Sequence, residues 1–197
     1  MHDLKDELRK AGLKARDGID PAAREQFANR LAEVGPRLVF DFRRAGEPPV
    51  VSLFSPIGSE PGMLPLARAL NAAGVRLVLP VDWSHGSPLV YRSWDPEDRL
   101  SVGPLGIREP VEHAPELEPD VLFIPASVFD RRGFRLGYGA GNVDRTLRAL
   151  RARKTIRAIG VAYAVQEHML VPTESHDEPL DVVVTDHDIL FCAKPRQ

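Results

Sequence analysis

The chain has 197 residues, 43% of them hydrophobic, and 26 Lys and Arg against 28 Asp and Glu give a formal net charge of -2. This balance excludes an overall basic field that would attract nucleic acid or an acidic lipid surface, so any anion site must be local. The single cysteine, Cys192, excludes a disulfide-stapled scaffold, and no apolar run approaches the roughly 20 residues of a membrane span. We therefore expect one cytoplasmic domain over residues 1–197, monomeric, without nucleic-acid or membrane partners.

Two helices are predicted at the N-terminal end. The first follows Asp3, a candidate N-cap, and the face opposite its apolar stripe is basic and expected to be exposed. Its apolar stripe consists of Leu4, Leu8, Ala11 and Ala15. The second begins at Asp20-Pro21, an N-cap followed by proline, and Gly46 and the adjacent prolines should end it by residue 48. Its buried stripe consists of Phe27, Leu31, Val34 and Leu38.

From Val50 the pattern changes to short, continuous apolar runs, which are typical of strands buried on both faces. These runs alternate with helical patterns, which favours an α/β fold in which helices flank a largely parallel sheet. The predicted strands are 50–54, 75–81, 89–92, 121–124, 156–163 and 182–185, and the predicted helices are 63–73 and 144–153. Ligands of such sheets bind beyond the carboxyl ends of the strands. Ser55, Asp82 and the segments after Pro125 and Tyr163 should gather there.

A glycine-rich segment precedes the last predicted helix. The glycines at alternate positions are Gly137, Gly139 and Gly141. Such a loop lets backbone N–H groups approach a phosphate, and the helix N-terminus favours an anion. On spacing alone, a tight turn beside two solvated arginines, Arg135 and Arg145, is the favoured explanation. The spacing differs from the G-x-G-x-x-G of dinucleotide sites, and the chain has no Gly-Lys-Ser/Thr of a Walker loop.

Residues 129–144 resemble the signature of 5-formyltetrahydrofolate cyclo-ligases, typically Phe-Asp-x-x-Gly-x-Arg-Leu-Gly-x-Gly-x-Gly-Tyr-Tyr-Asp. Further motifs similar to those of the family occur in the same order, so the resemblance runs from about Lys5 to Thr185. They are Lys5-x-x-Leu8-Arg9, 55–60, 106–110, Pro119-Asp120, Gln166 and 172–181. The resemblance implies an ATP-dependent enzyme that closes 5-formyltetrahydrofolate, a reduced folate, into 5,10-methenyltetrahydrofolate through a phosphorylated formyl group. It implies ATP and Mg²⁺ as cofactors.

The resemblance also implies roles for particular residues. It makes Arg135 and Asp144 catalytic, and it makes Asp144 and Asp177 the Mg²⁺ ligands. The implied nucleotide-binding residues are Lys5, Arg9, Arg135, Leu136, Gly137, Tyr138, Gly139, Ala140, Gly141, Asn142 and Val143. The implied folate-binding residues are Ser55, Glu60, Tyr138, Gly139, Ala140, Gly141 and Asn142.

One departure from the family pattern is Asn142-Val143, which stands where the family usually carries two aromatic residues. It implies that part of the folate wall is missing and that aromatic substitutions there should strengthen folate binding. It also leaves open a divergent relative that binds nucleotide or folate without this activity. A dinucleotide oxidoreductase is a weaker alternative because of the glycine spacing.

Several of these residues also have simpler interpretations. Without the resemblance, Lys5 and Arg9 are a solvated pair on an exposed helix face, and Asp144 is a first-turn acid. Arg135 is expected at a solvent-facing anion site. His176 has no second histidine at ligand spacing, so it is interpreted as a surface residue. Trp94 is expected at the edge of the core.

Overall fold

The computed structural model describes residues 2–42, 48–81, 86–103 and 106–192. The helices in these ranges are α1 (His2–Asp17), α2 (Pro21–Phe40), α3 (Leu64–Ala72) and α4 (Asn142–Arg151), with a 3₁₀ turn at Ala164–Gln166. The strands are β1 (Val50–Ser52), β2 (Arg76–Val81), β3 (Val90–Ser93), β4 (Ser101–Val102), β5 (Arg108–Glu109), β6 (Val121–Pro125), β7 (Val128–Phe129), β8 (Arg135–Leu136), β9 (Arg157–Val161), β10 (Val182–Val184) and β11 (Ile189–Phe191). No helix in the described ranges is both long and apolar enough to cross a bilayer.

Seven strands form one sheet in the order β11-β10-β9-β6-β1-β2-β3. The five inner strands run parallel, and the edge strands β3 and β11 pair antiparallel with β2 and β10. The predicted α/β fold with a largely parallel sheet is therefore confirmed. The hairpins β4–β5 and β7–β8 were not predicted, because a strand of two residues is too short to show a period.

Both faces of the sheet are covered, as continuous apolar strands require. Successive residues of a strand point to opposite faces, so Val51 packs on the side of α2 and α3, whereas Val50 packs on the side of α4. On the first side, the ring of Phe27 from α2 meets Tyr163 edge to face, with the centroids 5.1 Å apart. Trp94 is partly buried against this side of the core, as expected.

The helix boundaries follow the predicted signals with small differences. Asp20 caps α2 by accepting a hydrogen bond from the N–H of Ala22 at 2.8 Å, and α2 ends at Phe40, within the predicted limit at residue 48. Gly74, at φ 77°, follows α3 as predicted. α4 begins two residues before the predicted Asp144. The predicted stop at Gly46, and Asp82, lie outside the described residues.

The orientation predicted for α1 was wrong for its basic face, although Leu8 of the apolar stripe packs against the small cluster of Val128, Leu136 and Val171. Leu4 of the expected apolar stripe is 49% exposed and Ala11 is exposed, whereas the basic face points into the molecule. Lys5 and Arg9 keep only 12% and 17% of their side-chain surface, and Arg16 is buried. The helix also begins at His2, so Asp3 lies in its first turn rather than at the N-cap.

Gly12 explains how α1 approaches residues 127 and 128 so closely. A Cβ at Gly12 would lie 2.1 Å from the carbonyl oxygen of Ser127 and 2.6 Å from a methyl carbon of Val128 in β7. Only glycine permits this approach, because the nearest obstacle is backbone. The contact places the basic face of α1 against the loops at the carboxyl ends of the sheet strands.

Candidate active site

Four segments meet at the carboxyl edge of the parallel strands. They are α1, the loop after β1 (residues 53–63), the loop from β8 to α4 (residues 137–141, hereafter the glycine loop) and the segment 174–178. Hydrogen bonds between side chains join these segments across large sequence separations. This edge is where ligands of open α/β sheets bind.

The glycine loop takes backbone conformations that require its glycines. Gly139 and Gly141 have φ of 98° and 70°, in the left-handed region that side chains disfavour. Arg9 donates from Nε to the carbonyl oxygen of Gly137 at 2.6 Å, and Arg145 donates to that of Ala140 at 2.9 Å. Two arginines therefore hold the loop from opposite ends.

Cations and carboxylates alternate beside the glycine loop. Lys5 Nζ lies 3.0 Å from Asp177 Oδ2, and Arg135 Nη1 lies 3.2 Å from Asp144 Oδ1. Glu178, the residue after Asp177, contacts both members of the second pair through its backbone: its N–H donates to Asp144 Oδ1 at 3.0 Å and its carbonyl accepts from Arg135 at 2.9 Å. We call Lys5, Arg135, Asp144 and Asp177 the charge cluster. Its positive members can hold phosphate oxygens and its carboxylates can hold a cation.

The carboxylates of the charge cluster fit Mg²⁺ only with help from a ligand. No group of three or more His, Cys, Asp or Glu in the described part of the chain is arranged to hold a metal ion. Asp144 and Asp177 provide two hard oxygen donors, which matches Mg²⁺ because this ion commonly takes one or two carboxylates and completes its octahedron with phosphate oxygens and water. The donor set therefore fits a metal site completed by a nucleotide.

A second set of contacts lies where α1, the loop after β1 and the glycine loop meet. The Arg16 guanidinium donates to Ser59 Oγ at 3.0 Å, to Glu60 Oε1 at 3.4 Å and to the Tyr138 hydroxyl at 3.3 Å. The Tyr138 hydroxyl donates in turn to Glu60 Oε1 at 3.0 Å. We call Arg16, Glu60 and Tyr138 the triangle, because each member contacts the other two.

Burial governs the electrostatics of the triangle. The side chains of Arg16 and Glu60 are only 4% and 2% exposed. Burial raises the pKa of Glu60 above its usual value, against the lowering effects of the Ile57 N–H, the Arg16 charge and the Tyr138 hydroxyl. The pKa of Tyr138 is also raised, mainly by burial of its hydroxyl. A carboxylate kept under these conditions is a strong acceptor for the N–H groups of a ligand.

The remaining residues that the sequence predicted for the site are partly or fully buried. Ser55 is half-buried in the loop after β1. Asn142 is 3% exposed, and its side-chain amide donates to the carbonyl of Ser87 at 2.9 Å, which leaves its backbone as the part that can face a ligand. Val143 packs against the α4 side of the core. Arg135 is 4% exposed in its side chain, so the expected solvent-facing arginine was wrong.

Comparison with known proteins identifies the family. The model of the 5-formyltetrahydrofolate cyclo-ligase family matches residues 2–186. This chain belongs to that family. It is 34% identical to the 5-formyltetrahydrofolate cyclo-ligase of Mycolicibacterium smegmatis over 191 residues, covering 92% of this chain and 93% of the relative. It is 36% identical to the Escherichia coli K12 protein of the same name over 149 residues, covering 70% and 81%.

Solved structures agree with the cyclo-ligase assignment. The 5,10-methenyltetrahydrofolate synthetase of Aquifex aeolicus superposes with a TM-score of 0.79 at 28% identity, covering 98% of this chain and 95% of that one. A synthetase from Mycoplasma pneumoniae superposes with a TM-score of 0.71 at 22% identity, which supports the fold.

Some residues of the cyclo-ligase signature support the loops instead of facing the site. Asp130 is fully buried and accepts hydrogen bonds from the backbone N–H groups of Arg132, Phe134 and Val171. Gln166 is buried and donates to the carbonyls of Ala126 and Ser127. His176 is 57% exposed in its side chain, in line with its interpretation as a surface residue.

Sequence reasoning missed Arg16. A signal for it exists, because Lys5, Arg9, Gly12 and Arg16 follow the i, i+4, i+7, i+11 spacing of one helix face. Three basic residues on one face, with a glycine between them, indicate a helix that turns its charges toward a partner. The apolar stripe of α1 alone predicts the opposite orientation, with the basic face exposed to solvent.

Proposed function

We propose that this protein uses ATP and Mg²⁺ to close 5-formyltetrahydrofolate into 5,10-methenyltetrahydrofolate. The observation that carries this proposal is the meeting of the charge cluster, the glycine loop and the triangle at one edge of the sheet, in a chain of the cyclo-ligase family. The charge cluster suits a metal-bound polyphosphate, and the triangle suits a ring that carries N–H donors. The two sites share the glycine loop.

The chemistry explains the need for a nucleotide. A formamide oxygen is a poor leaving group, so the formyl oxygen of the folate first attacks the γ-phosphorus and the bond to the ADP oxygen breaks. N10 of the folate then attacks the formyl carbon and loses its proton. The C–O bond breaks and inorganic phosphate leaves. Catalysis of such a transfer depends mainly on positioning and on stabilisation of the charge on the phosphoryl oxygens.

The residues of this chain divide the work between the two ligands. Lys5, Arg9 and Arg135 supply positive charge for the phosphates, and the backbone of the glycine loop and of residues 142 and 143 cradles them. Asp144 and Asp177 would hold Mg²⁺, which when bound neutralises phosphate charge.

The folate is expected on the other side of the glycine loop, next to the triangle. Glu60 accepts hydrogen bonds from the N–H donors of the pterin ring, and Ser55 and the backbone of residues 138–142 line the same pocket. Because both ligands contact the glycine loop, the two sites adjoin there and the formyl oxygen of the folate can reach the γ-phosphorus.

The decisive test mixes the purified protein with 5-formyltetrahydrofolate, ATP and Mg²⁺ and follows the absorbance of the conjugated methenyl product. Product is expected only when ATP and Mg²⁺ are both present, because the formyl oxygen must be phosphorylated first. Equal product without nucleotide would contradict the mechanism. ATP binding without any folate turnover would assign the chain to a divergent relative that kept the nucleotide site.

A further inference from the structure

Tyr138 is unusual among the residues of the site, because its two ends have opposite surroundings. Its hydroxyl is held by Arg16 and Glu60, whereas the residue as a whole is 53% exposed. The hydroxyl accepts from the cation and donates to the anion, so it fits between them without leaving either unsatisfied. An aromatic ring anchored in this way presents a fixed apolar face to the site at low entropic cost.

The two residues that replace the usual aromatics of the family cannot present such a face. Asn142 is buried with its amide committed to Ser87, and Val143 packs into the core. Of the residues implied to bind the folate, Tyr138 carries the only aromatic side chain. It lies on the glycine loop, between the charge cluster and Glu60.

We propose that the Tyr138 ring forms the aromatic wall of the folate pocket and that Arg16 is a positioning residue that fixes this ring through its hydroxyl. Arg16 reaches the folate only through Glu60 and Tyr138. This inference rests on the proposed function, and it assigns the substrate contact that Asn142-Val143 lacks to a different position of the same loop.

The side chain and the backbone of Tyr138 contact different ligands. Phosphates are held by backbone N–H groups and by cations, so removing the ring leaves that part of the loop in place. Removing the ring does delete stacking or edge contact with the pterin, which corresponds to about a three- to tenfold loss of affinity. The two ligands should therefore respond differently to the same substitution.

Arg16 has a separate signature in the pH dependence of folate binding. The groups that face Glu60 are Arg16 from α1, Tyr138 from the glycine loop and the N–H of Ile57 from its own loop, with Asp17 one step away through Ser59. Without the Arg16 charge, Glu60 binds its proton at higher pH. A protonated Glu60 loses acceptor capacity, so folate binding has an acid limit, a pH below which it is lost. This acid limit should lie at a higher pH in Arg16→Gln than in the natural protein. Arg16→Lys keeps the charge and should keep the pH limit.

The experiment titrates each ligand alone, without turnover, into the natural protein and the variants. Tyr138→Ala is expected to raise the Kd for 5-formyltetrahydrofolate about three- to tenfold and to change the Kd for ATP less than about twofold. Tyr138→Phe keeps the ring but lacks the hydroxyl that anchors it, so its Kd for folate should lie between those of the natural protein and Tyr138→Ala. Phe191→Ala removes a ring that is 73% exposed on β11 and serves as the matched control, with both Kd values unchanged.

The outcomes are distinct. An unchanged folate Kd in Tyr138→Ala, or an equal loss for both ligands, overturns the inference while the proposed function stands. A natural protein that binds no folate overturns both. An acid limit that does not move in Arg16→Gln overturns the role of Arg16. If that variant fails to fold, the Tyr138 variants decide, because they change a half-exposed side chain.

Discussion

The two cation–carboxylate pairs of the charge cluster differ in what holds them. Arg135 is almost completely buried, and its guanidinium is shared between Asp144 and the carbonyl of Glu178. Lys5 lies nearer the surface and divides its charge between Asp177 at 3.0 Å and Glu174 at 3.4 Å. A buried cation that loses its partner costs more than a surface one, because water does not replace the partner. The two carboxylates therefore affect stability unequally even where both serve the metal.

Asp144→Asn and Asp177→Asn test this difference. Both variants are expected to raise the Mg²⁺ concentration needed for half-maximal activity, because each removes an anionic oxygen. Only Asp144→Asn should also lower the free energy of unfolding appreciably, by about 1–3 kcal/mol, because it leaves the Arg135 charge uncompensated. Denaturant unfolding and a Mg²⁺ titration of activity measure the two effects. Unchanged metal dependence in both variants would show that the metal site lies elsewhere.

Cys192 gives a prediction about protonation. Burial, with smaller effects of the charges on Asp181 and Asp130, raises the pKa of its thiol from 9.0 to about 11. The thiolate reacts with alkylating agents, so at pH 8 the folded protein should be modified about a hundredfold more slowly than the unfolded chain. The folded state keeps a proton that the unfolded chain releases above pH 9. The stabilisation of the folded state by the protonated Cys192 thiol is therefore full below pH 9 and is lost as the pH rises through 11. Alkylation at equal rates with and without denaturant would contradict the expected shift.

At the scale of the element, α1 brings three basic side chains to the site along one face. Its last turn carries Arg16 to Glu60 and its first turns carry Lys5 and Arg9 to the segment 174–178 and the glycine loop. The close contact at Gly12 fixes the position of the whole helix, so one backbone approach sets the positions of all three charges.

Gly12→Ala tests this dependence. Alanine favours a helix intrinsically, but its Cβ would meet the carbonyl of Ser127, so α1 must shift. We expect a loss of about 1–3 kcal/mol in the free energy of unfolding, together with weaker binding of ATP. Gly18→Ala is the matched control, since the nearest obstacle to its Cβ lies at 3.4 Å and no positive φ is involved. A Gly12→Ala variant with natural stability and ATP affinity would show that α1 tolerates displacement.

The start of α4 changes one expectation drawn from the family pattern. Aromatic residues at 142 and 143 were expected to complete the folate wall, but Asn142 is buried and bonded to Ser87. The double variant Asn142→Tyr with Val143→Tyr should therefore lower the free energy of unfolding by about 1–3 kcal/mol through overpacking, without tighter folate binding. Val143→Ile changes volume slightly and should remain near the natural protein. A stable double variant that binds folate more tightly would restore the original expectation.

For the whole molecule, the sheet was predictable and the site contacts were not. Runs such as 50–54 and 121–124 identify buried strands because burial on both faces leaves a continuous apolar signal. Lys5 meets Asp177 across 172 positions and Arg16 meets Glu60 across 44, and no local period encodes such pairs. The resemblance implied most site residues, but it did not indicate that Arg135 is buried or that Arg16 takes part.

The arrangement of two ligand sites around one loop predicts a crossed pattern of ligand-induced stabilisation. A ligand at a hundred times its Kd adds about 2.7 kcal/mol to the stability of the folded state, which for a chain of this size corresponds to a rise of about 6 °C in Tm. Mg-ATP and 5-formyltetrahydrofolate should each produce such a rise in the natural protein.

The variants should remove these shifts one at a time. Lys5→Ala with Arg9→Ala deletes two cations from the phosphate side, so the rise with Mg-ATP should shrink while the rise with folate remains. Glu60→Gln replaces the charged carboxylate, which accepts from the pterin donors, with a neutral amide that has one acceptor oxygen, so the opposite pattern is expected. Each shift is measured from the baseline of the same variant, because Glu60→Gln also leaves the buried Arg16 charge without its partner. If both variants lost both shifts, the two ligands would depend on one common site, since separate sites on either side of the glycine loop require that each variant keeps one response.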